Sequence, residues 1–237
     1  SLTAVARLRS VVILCAIIQP MSPLEDLLER LDATRESTLI ALEMLSDEAL
    51  VAPGVIGRWS IADLLSILTA WDAEVVTGLL RLQQGKPPEK LLAAVANPNL
   101  YNAARYQDAQ GRDLEVIFED FQGARLHLEE WLSELSEKAL SDPKHYKTLG
   151  GVSLGKIIAK ATYEHEARYM PFLVSYAEAW ESEAEFDEPG ADPEDAETEP
   201  IVTLADIILI DAVYADDLLS PNGDGPEETH DDSLDDD

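Results

Sequence analysis

A single cysteine, Cys15, in a chain of 237 residues excludes an internal disulfide framework and any multi-cysteine zinc site. A reducing, cytoplasmic setting fits that scarcity. Basic residues are scarce too: 17 Lys and Arg stand against 47 Asp and Glu, for a net charge of -30. None of those bases falls in residues 181–237, which hold 22 of the acids, so residues 1–180 carry a balance of only -8. The deficit argues against nucleic acid as a partner, because phosphate neutralisation needs clustered Lys and Arg. It argues equally against an anionic membrane surface. The apolar run at residues 11–18 follows Arg7 and Arg9 like a signal sequence. It falls far short of the roughly 20 residues that span a bilayer, and no small-x-small cleavage site follows it.

Hydrophobic residues make up 46% of the chain, enough for a core. Residues 1–20 read as a mis-assigned start or an appended segment, with Met21 as the natural beginning; a short signal or tethering segment and an extra docked strand or helix are the alternatives. Ser22-Pro23-Leu24-Glu25 is a capping box with proline at the first helical position. Leu24, Leu27, Leu28, Leu31, Thr34, Thr38, Leu42 and Leu45 then recur at three- and four-residue steps, predicting a helix to about Ser46. Pro53-Gly54 and Gly57 break it. Ser60 and Asp63 cap a second helix through Leu64, Leu65, Leu68, Trp71, Val75 and Leu79, which stops at Gly85-Lys86-Pro87-Pro88. Two shorter pieces are expected over residues 89–96 and 100–109. A third long helix starts near Gly111 and a fourth runs from the cap Ser153 to about Trp180, with Pro171 inside it to kink it or delete one backbone bond. Four amphipathic helices without strand alternation predict an all-α, antiparallel four-helix bundle over residues 21–180.

The tail divides into an acidic linker (181–200), an apolar segment (201–219) and a polar, acidic end (220–237). The middle part sets Ile207, Ile208, Leu209, Ile210 and Val213 among aspartates. At roughly 1.5–3 kcal/mol per buried aliphatic side chain, it is expected to dock on its own bundle, on a twin subunit or on another protein. Asn222-Gly223-Asp224-Gly225 hints at a calcium loop, but the remaining ligand positions are not spaced for one.

Three blocks in order carry a family resemblance. Gly57-Arg58-Trp59-Ser60-Ile61-Ala62-Asp63-Leu64-Leu65-Ser66-Ile67-Leu68-Thr69-Ala70-Trp71-Asp72 resembles the second-helix signature of the DinB-like superfamily. Tyr101-Asn102-Ala103, followed by Gly111-Arg112-Asp113-Leu114, and then Thr162-Tyr163-Glu164-His165-Glu166-Ala167-Arg168-Tyr169 agree in spacing. The branch most resembled is that of the ClbS/DfsB-type bundle proteins. The resemblance implies an up-down-down-up topology. It also implies, in many members, a divalent metal on three histidines, one in the second helix and two at i and i+4 on the fourth, where they share a face. Those positions match Ile67, His165 and Tyr169 here. One imidazole of three survives, so no metal and no cofactor is expected.

Members of that branch lacking the full triad resemble hydrolytic or protective proteins acting on reactive small molecules. On that reading His165 is a general base or donor with a pKa near working pH, Tyr169 a phenolic donor, and Glu164 or Glu166 orients the imidazole. Trp59, Asn102, Trp71 and Asp72 would line a pocket for a small-molecule ligand. The competing reading makes His165 a satisfied core histidine, Trp59 and Trp71 packing residues and Asn102 a brace. The domain is then a non-catalytic binding module. His127, His145 and His230 read as surface groups. Bundles of this type often pair, so a homodimer joins the expected partners.

Overall fold

The computed structural model describes residues 21–186. The extension 1–20, the apolar segment 201–219 and the end 220–237 lie outside the described residues, as does most of the linker. Among the described residues the regular elements are helical: α1 (Pro23–Leu42), α2 (Asp47–Val51), α3 (Ile61–Gln83), α4 (Glu89–Ala96), α5 (Pro98–Ala109), α6 (Leu114–Ser133), α7 (Glu137–Ser141), α8 (Leu154–Ala161), α9 (Tyr163–Ala167) and α10 (Met170–Phe186). The architecture is the all-α bundle.

Both capping boxes form. The Glu25 amide donates to Ser22 Oγ at 3.2 Å while the Ser22 amide donates to Glu25 Oε2 at 2.9 Å. Ser60 and Asp63 exchange the same pair at 2.9 and 3.1 Å. Two of the long helices, α1 and α6, end earlier than their apolar periodicity. α1 stops at Leu42, and Ser46 then accepts from the Ala49 amide and starts α2. Ser136 does the same after α6, starting α7. A side-chain acceptor at a cap satisfies an amide that continuing the helix would otherwise use, so a serine in the run lets the chain turn while its leucines stay inward.

Helix directions follow from pairs of contacts. Arg35 reaches the Phe121 carbonyl and Arg125 reaches the Leu31 carbonyl, so α1 and α6 are antiparallel. Arg30 lies over the Tyr163 ring and Thr38 touches Met170 Sδ, so the fourth-helix segment α8–α10 runs with α1. Trp71 packs on His165, while the Trp59 ring faces that of Tyr169, so α3 runs against it. The order is up-down-down-up. α3 and α6 therefore point the same way, and a parallel pair needs a long crossover, which α4 and α5 supply. Tyr101 pins α5 back by donating to the Ala70 carbonyl at 3.0 Å.

The fourth helix is not continuous. It breaks at Thr162 (φ -123°, ψ -105°) and again at Arg168–Tyr169, just before Pro171. Proline offers no amide to the preceding turn, so the backbone tightens there: the Tyr169 amide bonds the Glu166 carbonyl, three residues back. The expected kink is present, on the N-terminal side of the proline. α10 then runs to Phe186, beyond the Trp180 boundary drawn from the sequence.

Candidate functional site

His165 sits on the short α9, between the two breaks, and is 1% exposed. Its ring packs at a 44° tilt on Trp71 with centroids 4.7 Å apart and meets the Tyr169 ring edge-on at 5.3 Å. A directed chain of hydrogen bonds surrounds it. Trp71 Nε1 donates to Asn102 Oδ1 at 2.8 Å, and Asn102 Nδ2 donates to the Tyr169 hydroxyl at 3.0 Å. That hydroxyl lies 3.5 Å from His165 Nε2. Because tryptophan can only donate, the first two links point one way, toward the Tyr169 hydroxyl. The other ring nitrogen, Nδ1, is buried with no hydrogen-bond partner. Burial, with the Arg168 charge second, pushes the imidazole pKa down to about 3. The near-neutral value expected of a general base is therefore not found: at pH 7 the ring is an uncharged core group.

Of the candidate residues, His165, Tyr169, Asn102 and Trp71 come together; Trp59 adds a ring 6.4 Å from that of Tyr169. Glu164 is half-buried and takes no part in the chain, so it does not orient the imidazole. Asp72 and Glu166 belong to a different cluster.

That cluster is a four-charge network to which each of the four bundle helices contributes one member: Arg35 from α1, Asp72 from α3, Arg125 from α6 and Glu166 from the short α9 of the broken fourth helix. All four are at least 93% buried. Arg35 Nε and Arg125 Nη2 donate to Glu166 at 3.0 and 2.8 Å. Arg35 Nη2 and Arg125 Nε donate to Asp72 Oδ2 at 3.1 and 3.0 Å. The remaining guanidinium nitrogens cross-link the helices through the Phe121 and Leu31 carbonyls at 2.6 and 2.9 Å, and Thr38 Oγ1 donates to Glu166 at 2.9 Å. No atom of the four is left without a partner. Burial pushes the Glu166 carboxyl up, but the Arg35 and Arg125 charges outweigh it and hold it below its ordinary value. The sequence reading passed over Arg35 and Arg125. The signal was there: Arg35 lies between Leu31 and Thr38, and Arg125 between Phe121 and Leu128, so both stand on apolar stripes where a charge needs a buried partner.

The residues present do not fit the metal that the resemblance implies for many relatives. Ile67 is fully buried and has no donor atom, the Tyr169 hydroxyl is engaged by Asn102, and His165 alone remains. Among the described residues no three His, Cys, Asp or Glu side chains converge to hold an ion.

Space opens elsewhere. A groove of about 660 Å³ runs between α1 and α6, lined by Asp32, Glu36, Leu39, Ile40 and Glu43 on one side and Gln122, Leu126 and Glu129 on the other. Arg35 and Arg125 form its base. Burial and then the neighbouring Asp32 charge push the Glu129 carboxyl above its ordinary value. Among the described residues no helix is long and apolar enough to cross a membrane.

Comparison with known proteins agrees with this architecture. No curated protein matches the chain. An uncharacterised protein from Escherichia coli UTI89, solved by crystallography, is similar in fold, with a TM-score of 0.56 and 19% identity over 68% of this chain and 96% of that one. Residues 30–169, more than half the chain and the whole span from the charge network to Tyr169, match the DinB superfamily. By that match this chain belongs to the DinB superfamily.

Proposed function

We propose that the domain is a binding module, a DinB-superfamily bundle that performs no chemistry at His165 and meets its ligand on its surface. One observation carries this reading: the imidazole is 1% exposed, with the Trp71 and Tyr169 rings packed against it where substrate would have to approach. A general base must come within hydrogen-bond reach of the proton it removes. The position that would complete a metal site is occupied by the apolar Ile67, which favours packing over ligation. The charge network adds to the same picture, because every side-chain nitrogen and oxygen in it already bonds to another helix.

A second reading keeps one specific observation in its favour. The unpartnered Nδ1 of His165 would suit a hydrolytic or protective role of the ClbS/DfsB type, provided the bundle opens to admit a small molecule.

Access to His165 separates the two. Histidine-selective acylation of the native full-length protein, read residue by residue by mass spectrometry, should label the exposed His127 and spare His165 until the fold is lost. Labelling of His165 at the His127 rate would overturn the binding-module reading. Dialysis against nickel and zinc, beside a His165→Ala control, gives an independent arm. Near-stoichiometric metal that disappears in the variant would also overturn it.

A further inference from the structure

The groove between α1 and α6 has the dimensions and the chemistry of a helix-docking seam. On α1 its lining recurs as Asp32, Arg35, Glu36, Leu39, Ile40 and Glu43; on α6 it recurs as Gln122, Arg125, Leu126 and Glu129. Those are three- and four-residue steps on two antiparallel helices, the spacing that lets a third helix set its side chains between them. From Asp32 to Glu43 the groove extends about 16 Å, or three helical turns, at about 1.5 Å per residue.

Its apolar strip is unpartnered among the described residues. Ile40 is 62% exposed and Leu126 68%, and Met44, one residue past the end of the groove, is 68% exposed. Leu39 and Ile40 from α1 and Leu126 from α6 line the same groove, so they are apolar neighbours rather than scattered exceptions. The rim is uniformly acidic: Asp32, Glu36, Glu43 and Glu129. The only cations in the lining are Arg35 and Arg125, and both are fully committed to Asp72, Glu166 and backbone carbonyls. The floor is therefore electrically closed and offers an anion nothing. Burial and the adjoining Asp32, through its charge and a side-chain hydrogen bond, raise the Glu129 carboxyl in spite of the Arg125 and Arg35 charges beneath, so the acids outweigh the cations at this rim.

Charge decides among the occupants. A second copy would press acid on acid. The chain's own segment 201–219 is apolar but carries Asp206, Asp211, Asp216 and Asp217 with no base, so it too meets the rim with like charge. We infer that the groove docks an amphipathic helix of a basic partner protein, its apolar side chains seated on Leu39, Ile40 and Leu126 and its Lys or Arg residues on the acidic rim. This inference rests on the binding-module reading and specifies its partner.

The test uses the full-length protein and three synthetic peptides of roughly 14 residues, about four helical turns. The first carries Leu at helix-face spacing with Lys beside it, the second the same Leu pattern with Glu for Lys, and the third the first peptide's composition scrambled. Binding is followed by fluorescence polarisation at about 50 and 500 mM salt, concentrations chosen to vary screening. The basic amphipathic peptide should bind at least tenfold more tightly than either control and weaken as salt rises. Ile40→Ser with Leu126→Ser should cost at least tenfold while circular dichroism stays unchanged, since both side chains are mostly exposed. Glu36→Lys with Glu43→Lys should weaken binding by a similar factor.

Equal binding of the scrambled or the acidic peptide would overturn the inference, as would indifference to the Ile40/Leu126 variant. Tenfold tighter peptide binding after Ile207, Ile208 and Ile210 are changed to serine would identify the chain's own tail as the occupant instead. Dissociation of a dimer by the Ile40/Leu126 variant would identify a second copy. If the peptides fail while His165 stays protected from acylation, the groove inference alone falls. If His165 is labelled, the binding-module reading falls as well.

Discussion

Removing Arg125 should be among the most damaging single changes in the bundle. Arg125→Met keeps most of the aliphatic stem but deletes four hydrogen bonds: two to Asp72, one to Glu166 and one to the Leu31 carbonyl. It also leaves two buried carboxylates facing one guanidinium. A pair of unit charges about 4 Å apart at an effective dielectric near 20 interacts by about 4 kcal/mol. Breaking one partner of a buried pair costs about 3–5 kcal/mol in measured systems, and that is the loss expected here. Replacing all four network residues by apolar ones of similar volume should do much less harm, because the desolvation cost of every charge disappears with its attraction; neutrality or a gain of about 1–4 kcal/mol is the expectation. Urea unfolding followed by tryptophan fluorescence and circular dichroism measures both variants. Arg125→Lys serves as control, keeping the charge while losing the planar fork. A cost below about 1 kcal/mol for Arg125→Met, the size of an exposed ion pair, would refute the buried-network account.

Acid should destabilise the fold in two stages. Below about pH 6.5 unfolded His165 takes up a proton that the folded ring refuses until pH is near 3, so stability falls by about 1.4 kcal/mol per pH unit across that window. Glu166 is held below its ordinary value when folded, so its contribution, complete above the ordinary carboxylate range, is lost as pH falls through and below it. His165→Gln should remove about one proton from the slope of unfolding free energy between pH 6.5 and 5; an unchanged slope would mean that the imidazole titrates as if exposed. Gly123→Ala should stabilise the protein by about 0.5–1 kcal/mol, since Gly123 sits inside α6 with nothing within 4 Å of an added Cβ. A loss in thermal or urea unfolding would count against the packing described for that face. Ser60→Ala should cost about 1 kcal/mol, typical of a lost helix cap, because it removes the acceptor of the Asp63 amide and the donor to its carboxylate.

Most of the bundle was legible along the chain because its signals are local. A capping box needs only Ser60 and Asp63 three residues apart, and a helix stripe needs only its own apolar positions. Even the kink before Pro171 follows from one missing amide. Where a boundary slipped, at Ser46, the leucine pattern continued through a serine that the chain used as a cap, and periodicity alone does not register the change of axis. The family resemblance was legible for the same reason, as runs of residues at fixed spacing.

The interior chemistry was not. His165, Tyr169, Asn102 and Trp71 are drawn from three stretches of chain, and only their packing decides whether an imidazole is a base in a cleft or a neutral ring in the core. The pKa of that ring is set by the surface around it, which no spacing records. Arg35 and Arg125 carry the same lesson: each reads locally as a charge on an apolar stripe, and only the meeting of four helices supplies the two carboxylates that let it stay there. Local spacing decides which helices form and which way their stripes face. Burial, charge pairing and open space are sums over neighbours far apart in sequence, so the closed histidine and the open acidic groove exist only once the bundle has assembled.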